Sequence, residues 1–156
     1  MLAAKAEMNL QRWRQARVIQ ANGFTHEPEP ADVIIVNAGV TEIPSSWLDA
    51  LEETGTLLVP LTLDEADPQS GAMRPGWGAY LKIRRRGWRY SVELASRVGI
   101  FPCIGGRDPK ASQRLKGALR NSDWSQIRSL RRALEKPDES CWLRCEGYWL
   151  SMEPAE

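Results

Sequence analysis

The chain has 156 residues, 42% of them hydrophobic and 26% charged, which is one domain's length and enough to bury a sizeable core. Its longest purely apolar run is far below the roughly 18 residues that cross a bilayer, and nothing reads as a signal peptide, so no membrane is expected as a partner. The net charge of +1 hides a division: 4 basic against 11 acidic side chains over 1–70, 16 against 4 over 71–136, and 1 against 5 over 137–156. A basic middle this strong either attracts an anionic partner or forms a solvated face paired with the acidic segments, and the second reading is preferred. Cys103, Cys141 and Cys145 are odd in number and supply no zinc pattern, with His26 the only histidine. They read as reduced thiols of a cytoplasmic protein.

In chain order, residues 2–15 predict a helix, with Ala3, Ala6, Leu10 and Trp13 on one face. Residues 17–20 predict a short strand, Ala21-Asn22-Gly23 a turn, and 25–30 a loop rich in proline and acid that holds His26 as a surface residue. Val33-Ile34-Ile35-Val36 is continuously apolar and β-branched, as suits a strand buried on both faces. Asn37-Ala38-Gly39 stops it at its carboxyl end, where open α/β sheets bind ligands. Pro44 and Ser45-Ser46 open a helix, with Ser46 and Asp49 as a weak capping box and Gly55 as the C-cap. Residues 56–59 predict a second buried strand, which completes a βαβ unit.

Residues 63–78 predict a long loop, and 80–94 a hairpin turning at Arg85-Arg86-Gly87. Trp88, Tyr90, Val92 and Leu94 alternate on its second arm, and the preferred reading places such aromatics in the core. Trp88 with Arg89, or Trp77 with Arg74, could instead stack on bases. No nucleic-acid motif accompanies them, so nucleic acid is not expected as a partner. Asp108-Pro109 starts a helix whose apolar face is Ala111, Leu115, Ala118 and Leu119. Pattern alone leaves 127–131 open between helix and strand. Residues 141–150 predict an edge strand or hairpin with Gly147 as turn or bulge.

Several of these stretches resemble the protein-L-isoaspartate O-methyltransferase family, with its S-adenosylmethionine-dependent methyltransferase fold. The likeness is carried by Asp32–Val36, Asn37–Val40, Glu42-Ile43-Pro44, the helix 46–53, Gly55 and Leu57–Pro60, in the family's order and spacing. It extends to Leu2–Leu10, which follows a Leu-Ala-x-x-Ala-x-x-Asn-Leu form, and to Ile100-Phe101-Pro102-Cys103. The resemblance implies methyl transfer from S-adenosylmethionine to a carboxylate of isoaspartyl residues in damaged proteins. It implies cofactor-binding roles for Asn22 and Gly23 beside adenine, and for Asn37 and Ala38 at the reaction site. Asn22 stands where the family has Asp; an amide both donates to and accepts from an adenine edge.

The family's Gly-x-Gly-x-Gly loop and the strands around it are not in this sequence. Gly71, Gly76-Trp77-Gly78 and Gly105-Gly106 do not sit between an apolar strand and a helix. The expected fold is therefore α/β, a partial Rossmann-like methyltransferase sheet, mixed, with a late antiparallel hairpin and a C-terminal α+β extension. Residues 1–104 form the partial methyltransferase domain and 105–156 the extension packed on it. Without its neighbour, the 33–36 strand exposes an edge. Either 17–20 closes up against it, a partner chain or a second copy fills the gap, or the chain folds poorly. The alternative to an active enzyme is a non-catalytic methyltransferase-fold remnant or subunit needing a partner chain; a basic polyanion-binding module over 71–136 is the least favoured reading.

Overall fold

Alternating apolar residues lay three long strands side by side in the computed structural model, which describes residues 2–63 and 74–155. They are β2 (Leu51–Leu63), β3 (Gly76–Arg86) and β4 (Arg89–Ile100). Leu57, Val59 and Leu61, then Ala79, Leu81 and Ile83, then Tyr90 and Val92 point to one face and are buried. The period of two makes one face of the sheet core and the other solvated. On the second face Thr56, Lys82, Arg84, Ser91 and Glu93 are exposed or half-buried, and Lys82 pairs with Glu93 at 3.5 Å.

β1 (Ala31–Ile35) joins the edge of β2 in parallel, with the short helix α2 (Ser45–Asp49) between them in the chain. After β4 come α3 (Pro109–Asn121), a 3₁₀ turn at Trp124–Gln126, β5 (Ser129–Arg132), β6 (Cys141–Arg144) and β7 (Tyr148–Ser151). The sheet order is β1-β2-β3-β4-β5-β7-β6, seven strands with β1–β2 the one parallel pair among the described residues. The fold is thus mixed α/β. Trp47 and Leu48 of α2, Ala111 and Leu115 of α3, and Trp124 pack on the core face. Trp124 meets Trp142 of β6 at 5.4 Å between rings. The 105–156 segment continues the sheet: Tyr148 reaches across so that its hydroxyl accepts the Ile43 N–H at 3.0 Å.

Several local expectations change. The first helix, α1 (Leu2–Leu10), stops short of 15 and buries none of its residues. Residues 17–20 form no strand, because no chain lies beside them to complete a ladder among the described residues. The expected burial of the 33–36 strand on both faces also fails. Ile34 packs on the core while Val33 is 56% exposed and Ile35 66%, since no layer covers the second face. α2 has no side-chain cap: Pro44 is its N-cap, and the Ala50 N–H closes on Ser46 O at 3.0 Å. Gly55, expected to cap that helix, lies within β2, where the pairing register with β1 shifts.

The hairpin is longer than expected and turns at Gly87-Trp88, with Gly87 at φ 61°. Tyr90 and Val92 are core, but Trp88 at the tip is 67% exposed. Most of the predicted 63–78 loop, residues 64–73, lies outside the described residues. The open choice at 127–131 resolves to strand: a capping box from Asp123 to Gln126 opens a single 3₁₀ turn, which stops at Ile127, and β5 follows. His26 is half-buried rather than on the surface.

Candidate active site

The carboxyl end of β1 is fastened on several sides. The Val36 N–H donates to Leu58 O at 2.9 Å, Val40 N–H to Pro60 O at 3.0 Å, and Gly39 N–H to Phe101 O at 2.9 Å. Cys103 N–H returns to Gly39 O at 2.8 Å, and Thr41 N–H reaches Gly106 O at 3.3 Å. A Cβ on Gly39 would lie 2.3 Å from Thr62 Oγ1, so this crossing of chain segments admits no side chain. Arg107 donates from Nη1 to Thr62 O at 2.5 Å and from Nη2 to Thr62 Oγ1 at 2.8 Å, which holds the 101–107 segment over the end of β2. The Tyr80 hydroxyl donates to Val36 O at 2.8 Å and lies 3.3 Å from Asn37 Oδ1. Burial pushes its pKa up, so it stays a donor.

Beside this crossing is a cleft of about 710 Å³, bounded by Phe24, Thr41, Pro44, Gly105, Arg107 and Lys110. Its charges are largely engaged. Arg114 pairs with Glu42 at 2.7 Å, and Glu42 also accepts the Glu146 N–H at 2.7 Å. Asp108 accepts the Ala111 N–H at 2.6 Å as the N-cap of α3, and its own N–H donates to Thr41 Oγ1 at 3.1 Å. Burial raises the Cys103 thiol above its ordinary value despite the Arg107 charge nearby, which leaves it protonated and a poor nucleophile. The arrangement offers positioning groups rather than an acid–base pair.

The four residues expected to touch a cofactor fall into two pairs. Asn22 is exposed; its Oδ1 accepts the Phe24 N–H at 3.0 Å and its carbonyl accepts the His26 N–H at 2.9 Å. Gly23 O accepts Trp47 Nε1–H at 3.2 Å, and Phe24 meets Trp47 edge-on at 6.1 Å, so α2 anchors the turn. Asn37 is exposed and Ala38 half-buried at the end of β1. The 101–106 segment stands between the pairs. Gly39 is bonded to Phe101 and Cys103, while Gly105 abuts Asn22, whose Nδ2 is 2.9 Å from where a Gly105 Cβ would be. No hydrogen bond joins Asn22-Gly23 to Asn37-Ala38. Tyr80, Thr62 and Arg107 went unnoticed in the sequence. The one available signal was Thr62, a polar residue ending an apolar strand.

Among the described residues, the glycines do not form a phosphate- or sugar-type cradle. Gly76 and Gly78 lie inside β3, and a Cβ on Gly78 would be 2.0 Å from Leu61 O. Gly106 packs against Phe24 and Cys103. The N-terminus of α3 is filled by the Asp108 carboxylate. Among the described residues, Asn22-Gly23 form a turn and Asn37-Ala38 a strand end, with no Gly-x-Gly-x-Gly loop beside either pair.

Residues 1–75 match the family described as Protein-L-isoaspartate(D-aspartate) O-methyltransferase (PCMT). A protein-L-isoaspartate O-methyltransferase of Thermotoga maritima is 39% identical over 62 residues, covering 37% of this chain and 20% of that protein. The enzyme of that name from Shewanella amazonensis is 30% identical over 77 residues, covering 49% of this chain and 31% of that one. A solved structure of a protein-L-isoaspartate O-methyltransferase aligns over 83% of this chain and 37% of its own, at 18% identity and a TM-score of 0.46. The chain thus spans about a fifth to a third of the length of the curated relatives it matches. Over residues 1–75, a little under half of its length, the chain is similar to the protein-L-isoaspartate O-methyltransferase family.

Proposed function

We propose that this chain is an isoaspartyl O-methyltransferase-like protein whose 156 residues carry only part of the methyl-transfer site. The activity proposed for the completed site is methyl transfer from S-adenosylmethionine to the carboxylate of isoaspartyl residues in damaged proteins. In this reading Asn22 and Gly23 flank the adenine, and Asn37 and Ala38 border the reacting groups. A partner chain or a second copy, seated along β1, supplies what encloses the donor.

The observation that carries the reading is the β1 edge. It is unpaired on its outer side among the described residues, and Val33 and Ile35 stand 56% and 66% exposed beside Asn37. Two further assignments accompany it: a division at 104/105 between methyltransferase part and extension, supported by the family match lying within 1–75, and a cytoplasmic location, supported by three unpaired cysteines. Among the described residues, no helix is long and apolar enough to cross a membrane.

Titration calorimetry of the purified chain with S-adenosylhomocysteine tests the proposal. A flat titration on a cooperatively folded sample is expected. Micromolar binding would overturn it, since a complete donor site would then exist without the glycine loop. Transfer of labelled methyl to an isoaspartyl peptide by the chain alone would overturn it equally.

A further inference from the structure

We propose that the tip of the β3–β4 hairpin binds single-stranded nucleic acid, with phosphates on Arg84, Arg86 and Arg89 and a base on Trp88. The argument begins with strand register. Arg84 pairs with Ser91 and Arg86 with Arg89, so these side chains share one face of the hairpin. Arg86 and Arg89 stand directly opposite each other, an arrangement of like charges that is destabilising unless an anion lies between them.

Several basic residues elsewhere are paired with carboxylates. Arg97 pairs with Asp123, Arg114 with Glu42 and Arg132 with Asp49. Arg84, Arg86 and Arg89 make no ion pair among the described residues. The expected pairing of the basic middle with the acidic segments therefore holds for part of the middle and leaves out other members, among them the three arginines clustered at the hairpin tip.

The tip is held in shape by the one arginine that points away. Arg85 donates from Nε to Gly87 O at 2.8 Å and from Nη1 to Leu51 O at 2.5 Å, and the Gly87 N–H donates to Glu53 O at 3.1 Å. These bonds staple the turn to the start of β2. They leave a groove of about 760 Å³ between Thr54, Thr56 and the arginines, with Glu53 the carboxylate on its border. Holding the groove rigid reduces the ordering that binding would otherwise require.

Trp88 decides the class of anion. Its indole is 67% exposed, with the Arg89 guanidinium 4.8 Å from the ring centroid on one side. A flat ring presented among guanidinium groups stacks on nucleobases. A patch that held anions by charge alone would have no use for it. Same-face residues along a strand are spaced roughly 6.6 Å apart, comparable to successive phosphates on an extended single strand.

The test is fluorescence anisotropy of the full chain with a labelled mixed-sequence RNA of about 12 nucleotides. Binding is expected to weaken with salt at a slope of about −2 in log–log form, from three neutralised phosphates. Trp88→Ala should weaken it roughly tenfold and Trp88→Phe restore most of it. Arg86→Glu with Arg89→Glu should abolish it. Arg120→Glu, on the exposed side of α3, should change nothing. All of these side chains are exposed, and circular dichroism confirms the fold of each variant. Absence of binding at low salt overturns the proposal. So does binding that Trp88→Ala leaves intact and heparin displaces fully, which would mark a charge patch without base recognition.

Discussion

Cys145 is the residue where burial matters most for pH. Its thiol is pushed up to about 12 from an ordinary 9.0, chiefly by burial, with the Glu42 carboxylate adding to the rise and the Tyr148 and Arg114 side chains opposing it. Tyr148, wholly buried, is raised in the same direction for the same first cause. The folded chain thus holds protons that the unfolded chain releases as pH climbs past 9. Stability is therefore expected to be level below about pH 8 and to fall between pH 9 and 12. Cys145→Ala should lessen that fall without removing it, as read by urea titration across the range. At the acid end, Asp123 is pushed down to about 2 by the Ser125 N–H and hydroxyl and by Arg97. Its contribution is present above about pH 4 and is lost toward pH 2, so Asp123→Asn should flatten that limb. Asp108→Ala removes a side-chain cap, and a loss of about 1 kcal/mol is expected by the same titration. That cap was legible in the sequence because Asp-Pro fixes both the acceptor and the backbone angle. Thr62, Tyr80 and Arg107 were not, because their roles depend on partners 43 or more positions away.

At the scale of elements, legibility followed how local the determinants were. β3, β4 and α3 were readable from alternation and capping, since each carries its own apolar face. The expected 17–20 strand does not form because four residues of pattern, with only Val18 and Ile19 apolar, do not make a ladder without a neighbour. Gly55 was misread because a glycine within a register shift has the same signature as a helix cap. Gly78, by contrast, is fixed by a close approach of β3 to β2. Gly78→Ala should cost about 1–3 kcal/mol, because its Cβ would meet Leu61 O at 2.0 Å. The β1 edge was anticipated from what the sequence omits. A charged edge blocks strand addition. Val33→Lys with Ile35→Lys should therefore reduce self-association in sedimentation at high concentration while leaving the thermal midpoint within about 2 °C.

For the whole molecule, the sheet is one continuous structure in which the extension shares the core. Trp124, Tyr148 and Leu150 are among its buried members, alongside Leu57 and Val59. The α/β class and the late hairpin were legible, but the insertion of β7 between β5 and β6 was not, because hydrophobic pattern does not encode strand order. α1 lies outside this cooperative unit: nothing in it is buried. Deleting residues 2–10 should shift the thermal midpoint by no more than about 2 °C, as scanning calorimetry would show.

The bond from Ile43 to Tyr148 joins residues 105 positions apart. A ribosome adding about 5–20 residues per second needs roughly 5–20 seconds to cover that distance. Throughout that interval the turn at Ile43 has no acceptor for its amide, and β1 lies bare beside it. The nascent chain is then most adhesive at the very segment that stays open after folding, so whatever meets β1 during synthesis has the first opportunity to remain there.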